Sequence, residues 1–234
     1  MLKWGSVKNF HAGPVSLWLK NSQGPSFPAL ESDSTADILI LGGGIAGLST
    51  AWFLLELGVP GESILLLEAK KVGGRASGRN AGFLLTDLAE PYARMREAIG
   101  EKARRLRLLS ARNQELMIAV ADELHLPWEF DRGGVLVVAA SDAEDADCQA
   151  SAQALQADKF DVRYLSCEST TKRLGFATPW GSLWDPLGGG CQPAVFVHGL
   201  ASACARRGVR IFENACATKL QSTASGDLKV SVEG

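Results

Sequence analysis

Between Asp37 and Leu67 the hydrophobic pattern changes character twice. Asp37 to Leu41 is a polar residue followed by a short continuous apolar run, Ile45 to Leu57 is a mostly apolar stretch of helical length, and Ser63 to Leu67 repeats the first pattern. A glycine cluster fills the first junction. Runs of four or five apolar residues suit strands buried on both faces, and the stretch between them is long enough for a crossover helix. The segment therefore predicts a β-α-β unit.

Beyond it the pattern is looser. A helical stretch is predicted from about Tyr92 to Leu124 with an interruption at Gly100, and Gly133-Gly134 introduces a strand over Val135 to Ala139. Ser141 and Glu144 form a capping-box pair for a helix running through about Gln156. Gly181 to Gly190 reads as turn-rich, Ala194 to Arg206 as a helix, and Val209 to Phe212 and Leu228 to Val232 as short strands. Ahead of the β-α-β unit, Met1 to Thr35 carries Pro14, Pro25 and Pro28 with no sustained period and reads as an extended arm.

The run Ile38 to Gly58 is apolar and long enough to tempt a membrane reading. Gly42, Gly43, Gly44 and Gly47 lie inside it and Glu56 near its end, which suits strand, turn and helix better than one continuous span. Composition agrees with an ordinary globular chain: 234 residues, 46% hydrophobic and 21% charged, are enough for one large domain or two small ones. With 24 basic and 26 acidic side chains the formal charge is −2, so no overall field draws the chain to nucleic acid or anionic membrane. The five cysteines Cys148, Cys167, Cys191, Cys204 and Cys216 are odd in number and form no C-x-x-C pair, which argues against a disulfide framework or a metal site. Met1 to Phe10 lacks the apolar stretch of a secretory signal, and the chain is expected to be cytoplasmic.

The junction Gly42-Gly43-Gly44-Ile45-Ala46-Gly47 is a G-x-G-x-x-G set between a strand and a helix, the context that gives this motif its meaning. Gly42 permits the tight turn, Gly44 admits a pyrophosphate to the backbone, and Gly47 lets helix and strand approach. The helix start then offers N–H groups and the positive end of its dipole to phosphate. Glu68 lies 21 residues past Gly47, at the end of the second run, where an acid accepts hydrogen bonds from an adenosine ribose. A carboxylate there would repel a 2′-phosphate, leaving NAD or FAD.

The segment after the second strand favours FAD. Lys71 to Phe83 is a loop of small residues that can lie against a flat ligand, with Ser77, Arg79 and Asn80 as donors. Other polar candidates are weaker. Lys102, Arg104, Arg105 and Arg107 could meet phosphate, but a charge run on a helix is usually a solvated face. His11, His125 and His198 read as structural or solvent-facing, and Trp128, Trp180 and Trp184 more readily as core than as pocket lining.

Asp37-Ile-Leu-Ile-Leu-Gly-Gly-Gly-Ile-Ala-Gly-Leu-Ser-Thr-Ala, Leu67-Glu-Ala and Ala76-Ser-Gly-Arg-Asn-Ala-Gly together resemble the FAD-dependent oxidoreductases of the D-amino acid oxidase and sarcosine oxidase superfamily, especially the bacterial members like gamma-glutamylputrescine oxidase. The resemblance extends weakly through Gly133-Gly-Val-Leu, Gly189-Gly-Gly-Cys-Gln-Pro and Gly208-Val-Arg-Ile. It implies an α/β fold: a Rossmann-type FAD domain with an inserted α+β substrate domain. The chain would divide into an arm (1–35), the first part of the FAD domain (36–130), the first part of the insertion (131–188) and a return to the FAD domain (189–234).

It also implies an oxidoreductase that moves a hydride from the carbon beside an amine of a small-molecule amine or amino acid to FAD. Gly42, Gly43, Gly44, Ile45, Ala46 and Gly47 would hold the pyrophosphate, Glu68 and Ala69 the adenosine ribose, and Ser77, Gly78, Arg79, Asn80, Ala81 and Gly82 the flavin side. Where some relatives carry a flavin-linking histidine near that loop, this chain has Asn80. Relatives continue past the position of Gly234, so the chain looks like an N-terminal portion, expected to bind FAD weakly or not at all on its own, to show no amine oxidase activity and to contain no identifiable catalytic residue. The competing readings are a non-catalytic truncated chain and an NAD-dependent dehydrogenase.

Overall fold

The two apolar runs that flank the glycine cluster become neighbouring parallel strands in the computed structural model, which describes residues 2–3, 16–86, 90–223 and 226–233. His11 and Pro14 lie outside the described residues. The chain opens with β1 (Leu2–Lys3) and a single helical turn, α1 (Leu17–Lys20). The predicted unit comes next as β2 (Ile38–Leu41), α2 (Ile45–Glu56) and β3 (Ile64–Leu67). After it lie β4 (Phe83–Leu84), α3 (Tyr92–Ile99), α4 (Glu101–Glu123), β5 (Val135–Val138), α5 (Asp142–Ala157), β6 (Arg163–Leu165) and α6 (Cys167–Leu174). The chain continues through β7 (Ser182–Asp185), β8 (Gly189–Gly190), α7 (Pro193–Arg206), β9 (Arg210–Phe212), β10 (Cys216–Ser222) and β11 (Leu228–Glu233).

These elements group into two compact units, one comprising Met1–Ala81, Leu124–Trp128 and Gln192–Gly234, the other Gly82–Glu123 and Glu129–Cys191. In the first, β2, β3 and β9 form a parallel sheet with β3 in the middle. All four β3 residues are buried, as a continuous apolar run in a covered parallel sheet should be. α2 buries Leu48, Ala51, Trp52 and Leu55, one stripe at helical spacing. α7 is apolar on most of its surface and is capped by Gln192, whose side chain accepts from the Ala194 and Val195 amides, with Pro193 in the first turn. A separate antiparallel sheet orders its strands β1, β10, β11.

In the second unit β7 pairs antiparallel with both β5 and β6, and β4 with β8. The stretch read from sequence as turn-rich, Gly181 to Gly190, therefore contains two strands. Gly181 and Pro186 punctuate a four-residue segment whose partners, Val135 to Val138 and Arg163 to Leu165, lie far away in sequence, so pairing overrides the local turn signals. α3 and α4 share a core with α5, built from Tyr92, Ala103, Cys148, Ala152 and Leu155. Ser141 caps α5 as expected, accepting from the Glu144 amide at 3.2 Å, while Glu144 accepts from the Ala140 amide at 2.7 Å.

Candidate functional site

The glycine turn is built as its spacing requires. The Gly42 amide donates to the Leu67 carbonyl, tying the turn to the end of β3, and Gly42 takes a φ of 106°, a backbone region open to glycine. Gly44 is the N-cap of α2. A Cβ on Gly47 would fall on the Gly42 carbonyl oxygen and against Ile40, so this position is glycine because strand, turn and helix cross there at backbone distance. At Gly44 a Cβ would meet only the Ser77 hydroxyl, at 2.9 Å. Ile45 and Ala46 start α2, with Ala46 exposed.

Glu68 emerges at the carboxyl end of β3 and is buried at 8% exposure. Its Oε2 accepts from the Gly43 amide at 2.8 Å and its Oε1 from the Lys70 amide at 2.9 Å. The carboxylate thus holds the middle of the glycine turn, and the next residue, Ala69, is exposed. A second buried carboxylate, which sequence reasoning missed, leaves the neighbouring strand at the same level. Leu67 pairs with Phe212 in the parallel ladder, so Glu213 follows β9 as Glu68 follows β3. Glu213 is 1% exposed and accepts from the Val72 amide (2.9 Å), the Phe27 amide (3.3 Å) and the Lys71 ammonium (2.6 Å). The repeated pattern of an apolar strand followed by Glu, Leu67-Glu68 and Phe212-Glu213, was the available signal.

The loop after β3 folds back over the turn. The Gly73 amide donates to the Gly43 carbonyl, and the Ser77 hydroxyl accepts from the Ile45 amide at 2.9 Å, at the positive end of α2. Gly78 is buried, and a Cβ there would strike the Gly73 carbonyl. Arg79 and Asn80, expected as ligand donors, are exposed and bond to the loop backbone: Arg79 Nε donates to the Gly74 carbonyl and Asn80 Nδ2 to the Ser77 carbonyl, both at 2.8 to 2.9 Å. Ala81 is exposed at the end of this unit and Gly82 begins the other. The structure therefore brings together the glycine turn, Glu68 and Ser77, and adds Glu213.

Other candidates resolve into structural parts. His198 Nε2 contacts the Val72 carbonyl at 3.2 Å and its Nδ1 the Ser22 hydroxyl at 2.7 Å. A carbonyl can only accept, so Nε2 carries the proton and Nδ1 accepts from Ser22. Burial lowers the His198 pKa from 6.5, against smaller opposing effects of the Val72 carbonyl and Glu213. Below about pH 6.5 the unfolded chain takes up this proton before the folded one does, so stability is lost as pH falls from there toward the depressed folded value. Thermal unfolding at pH 7.5 and 5.5 is expected to show this loss, and His198→Gln to flatten it; an equal loss in the variant would remove His198 as the cause.

His125 is exposed, Trp128 packs on Phe196 in the first unit, and Trp184 lies under Arg173 in the second, 3.6 Å from the ring centroid. Burial pushes the Cys191 thiol up to about 11 and Cys204 up to about 12, so neither is a thiolate near neutral pH. Arg104 fits the solvated reading of the basic run, pairing with Glu101, whereas Arg107 is 3% exposed and bound to Asp185. Among the described residues no helix is long and apolar enough to cross a membrane.

A strand-end carboxylate, a glycine turn at a helix N-terminus and a small-residue loop folded over both are the parts a dinucleotide needs. The family model described as FAD dependent oxidoreductase matches residues 37–233. The chain belongs to this family. Gamma-glutamylputrescine oxidoreductase of Escherichia coli (strain K12) is 27% identical over 199 residues, 84% of this chain and 46% of its own length. The probable oxidoreductase OrdL of Haemophilus influenzae is 28% identical over 191 residues, covering 80% of this chain and 43% of its own. Glycine oxidase from Geobacillus kaustophilus superposes with a TM-score of 0.71 at 20% identity, over 86% of this chain and 52% of its own. L-alpha-glycerophosphate oxidase from Mycoplasma pneumoniae, a structure with FAD bound, gives 0.67 at 22% identity, over 86% and 50%. The chain thus spans about half the length of the relatives it matches, and the structural likenesses establish the Rossmann-type FAD-domain fold that this family shares.

Proposed function

We propose that this chain binds FAD through the Gly42–Gly47 turn, Glu68 and the loop carrying Ser77, and serves an oxidoreductase that oxidises the carbon–nitrogen bond of a small amine or amino acid. The observation that carries the reading is the convergence on one turn of a helix N-terminus, the backbone gap at Gly44 and the Glu68 carboxylate. The residues fit the group. Gly44 carries no side chain to block approach to the turn, and the Ser77 hydroxyl, which accepts from the Ile45 amide, has its own proton to donate to a phosphate oxygen. Glu68, turned slightly from the Gly43 amide, would accept from the two ribose hydroxyls.

Bound FAD would supply a hydride acceptor for the carbon beside the amine, leaving an imine that water hydrolyses. This chain's residues contribute binding and orientation: Glu68 and the turn fix the adenosine end, and the loop from Lys71 to Asn80 shapes the surface against which the rest of the cofactor lies. The amine class is favoured by the relatives named gamma-glutamylputrescine oxidoreductase and glycine oxidase, although a glycerophosphate oxidase shares the fold.

Two measurements test the reading. Titration with FAD of a form extended to the length of its relatives should give saturable binding, weakened by about 2 to 4 kcal/mol in Glu68→Ala through loss of a pair of charge-assisted bonds. Unchanged affinity in that variant would remove Glu68 from the site. In a form extended to the length of its relatives, anaerobic amines or amino acids should bleach the flavin and glycerol phosphate should not; the reverse would sink the amine reading.

A further inference from the structure

Residues 16–28, part of the segment read from sequence as an extended arm, are tied to the loop that faces the cofactor site. The Ser16 hydroxyl donates to the Gly78 carbonyl at 3.0 Å, and Trp18 Nε1 donates to the Asn80 carbonyl at 2.8 Å. Leu19 fills the space beside Gly78, where a Cβ would meet its Cδ2. Gln192, at the start of α7, donates from Nε2 to the Trp18 carbonyl at 3.0 Å. Further along, Ser22 meets His198, whose other ring nitrogen reaches the Val72 carbonyl, and the ring lies against Gly24 and Gly73. Glu213 then binds both sides at once, taking the Phe27 amide from the arm and the Val72 amide from the loop, while its own amide donates to the Pro28 carbonyl.

We propose that residues 16–28 form a strap that holds the loop of residues 70–80 in its cofactor-receiving shape, with Glu213 and His198 as the pins through which strap and loop are joined. The loop is held at its start by the buried Val72 side chain and further on by short internal turns at Gly74, Gly78 and Arg79. Gly73, Gly74 and Gly78 carry no side chains to pack, so much of its order depends on what lies against it. Its hydrogen bonds to the turn include the Gly73–Gly43 bond and Ser77 on the Ile45 amide. Glycine-rich segments lose the most conformational freedom on ordering, so a loop of this composition is ordered by the chain that lies across it. The strap supplies two hydrogen bonds to its carbonyls at residues 78 and 80, the end nearest Ser77, and the buried Glu213 fixes residues 71 and 72 at the other. A ligand that needs the loop in one shape binds more weakly in proportion to the fraction of loop that is out of it.

This inference rests on the FAD reading above, and its test separates the two. In the full 234-residue chain, Ser16→Ala with Trp18→Phe removes the two strap-to-loop donors at half-buried positions and leaves an aromatic ring at residue 18. Glu213→Gln keeps the size of the pin and discharges it. Hydrogen exchange of the hydrogen-bonded Gly73, Gly74, Gly78 and Arg79 amides, measured without cofactor, should quicken about tenfold in the double variant, as expected for loss of bonds of ordinary net strength. FAD affinity, titrated in a form extended to the length of its relatives, should fall by about the same factor, while exchange in β3 and α2 stays as in the parent. Glu213→Gln should show the same signature with the larger change at Gly73 and Gly74. Exchange and affinity within about twofold of the parent in the double variant would overturn the strap, as would faster exchange with unchanged affinity. A form extended to the length of its relatives that takes up no FAD would instead overturn the cofactor reading, with the exchange rates still deciding whether the arm orders the loop.

Discussion

A Gly47→Val protein is expected to lose FAD and to be less stable than the parent by about 3 kcal/mol or more, because a side chain at this position has nowhere to go. Its Cβ would fall on the Gly42 carbonyl, which belongs to the turn, and against Ile40 of β2, a buried residue of the parallel sheet. Neither is the movable tip of a flexible side chain. Relief requires α2 to lift from β2, and Leu48, Ala51, Trp52 and Leu55 lie on the stripe that would be exposed. Gly44→Val is the contrasting variant. Its side chain meets only the Ser77 hydroxyl, so the protein should fold with a cost nearer to about 1 kcal/mol while the pyrophosphate is shut out. Urea unfolding and FAD titration on the two variants separate packing from ligand approach. A Gly47→Val protein with parental stability would mean that strand, turn and helix do not cross at backbone distance.

Both positions were readable from sequence because the information is local. A glycine cluster between an apolar run and an apolar helix specifies turn and helix start together, and the buried Glu68 is found by counting along the next strand. The arm was not readable. Its ties are single hydrogen bonds from Ser16 and Trp18 to carbonyls 62 residues away and from Gln192 across 174 residues, and no periodicity encodes such contacts. Glu213 lies between. It depends on β9 returning beside β3 from far along the chain, yet an acid after a short apolar strand marks the carboxyl end of a parallel sheet, where ligands gather.

Arg107 shows how a local rule misleads when phase is ignored. Its neighbours Lys102, Arg104 and Arg105 are solvated or half-exposed, and the run reads as a polar face. The buried positions of α4 are Ala103, Arg107, Gln114 and Ala121, spaced by four, seven and seven residues, so Arg107 falls on the inward stripe. A charge on that stripe needs a buried partner, and Asp185 at the end of β7 provides it.

Asp185→Ala is accordingly expected to destabilise the second unit by about 3 to 5 kcal/mol, the range for leaving one member of a buried pair without the other. Asp185 Oδ2 accepts from Arg107 Nη2 at 2.7 Å and from the Thr86 hydroxyl, and its Oδ1 from the Leu187 amide at 2.9 Å. Truncation removes the carboxylate from beside the Arg107 guanidinium, which is 3% exposed and 5.0 Å from the centre of the Phe160 ring. The cost comes from loss of the buried countercharge as well as from the lost bonds, and this makes a second variant informative. Arg107→Leu combined with Asp185→Leu removes both charges and fills the space, so it should recover most of the loss. Urea unfolding of the three proteins, with hydrogen exchange in α4 and β7 to assign the change to the second unit, provides the comparison. A loss below about 1 kcal/mol in Asp185→Ala would show that water reaches Arg107 and that the pair is a surface interaction.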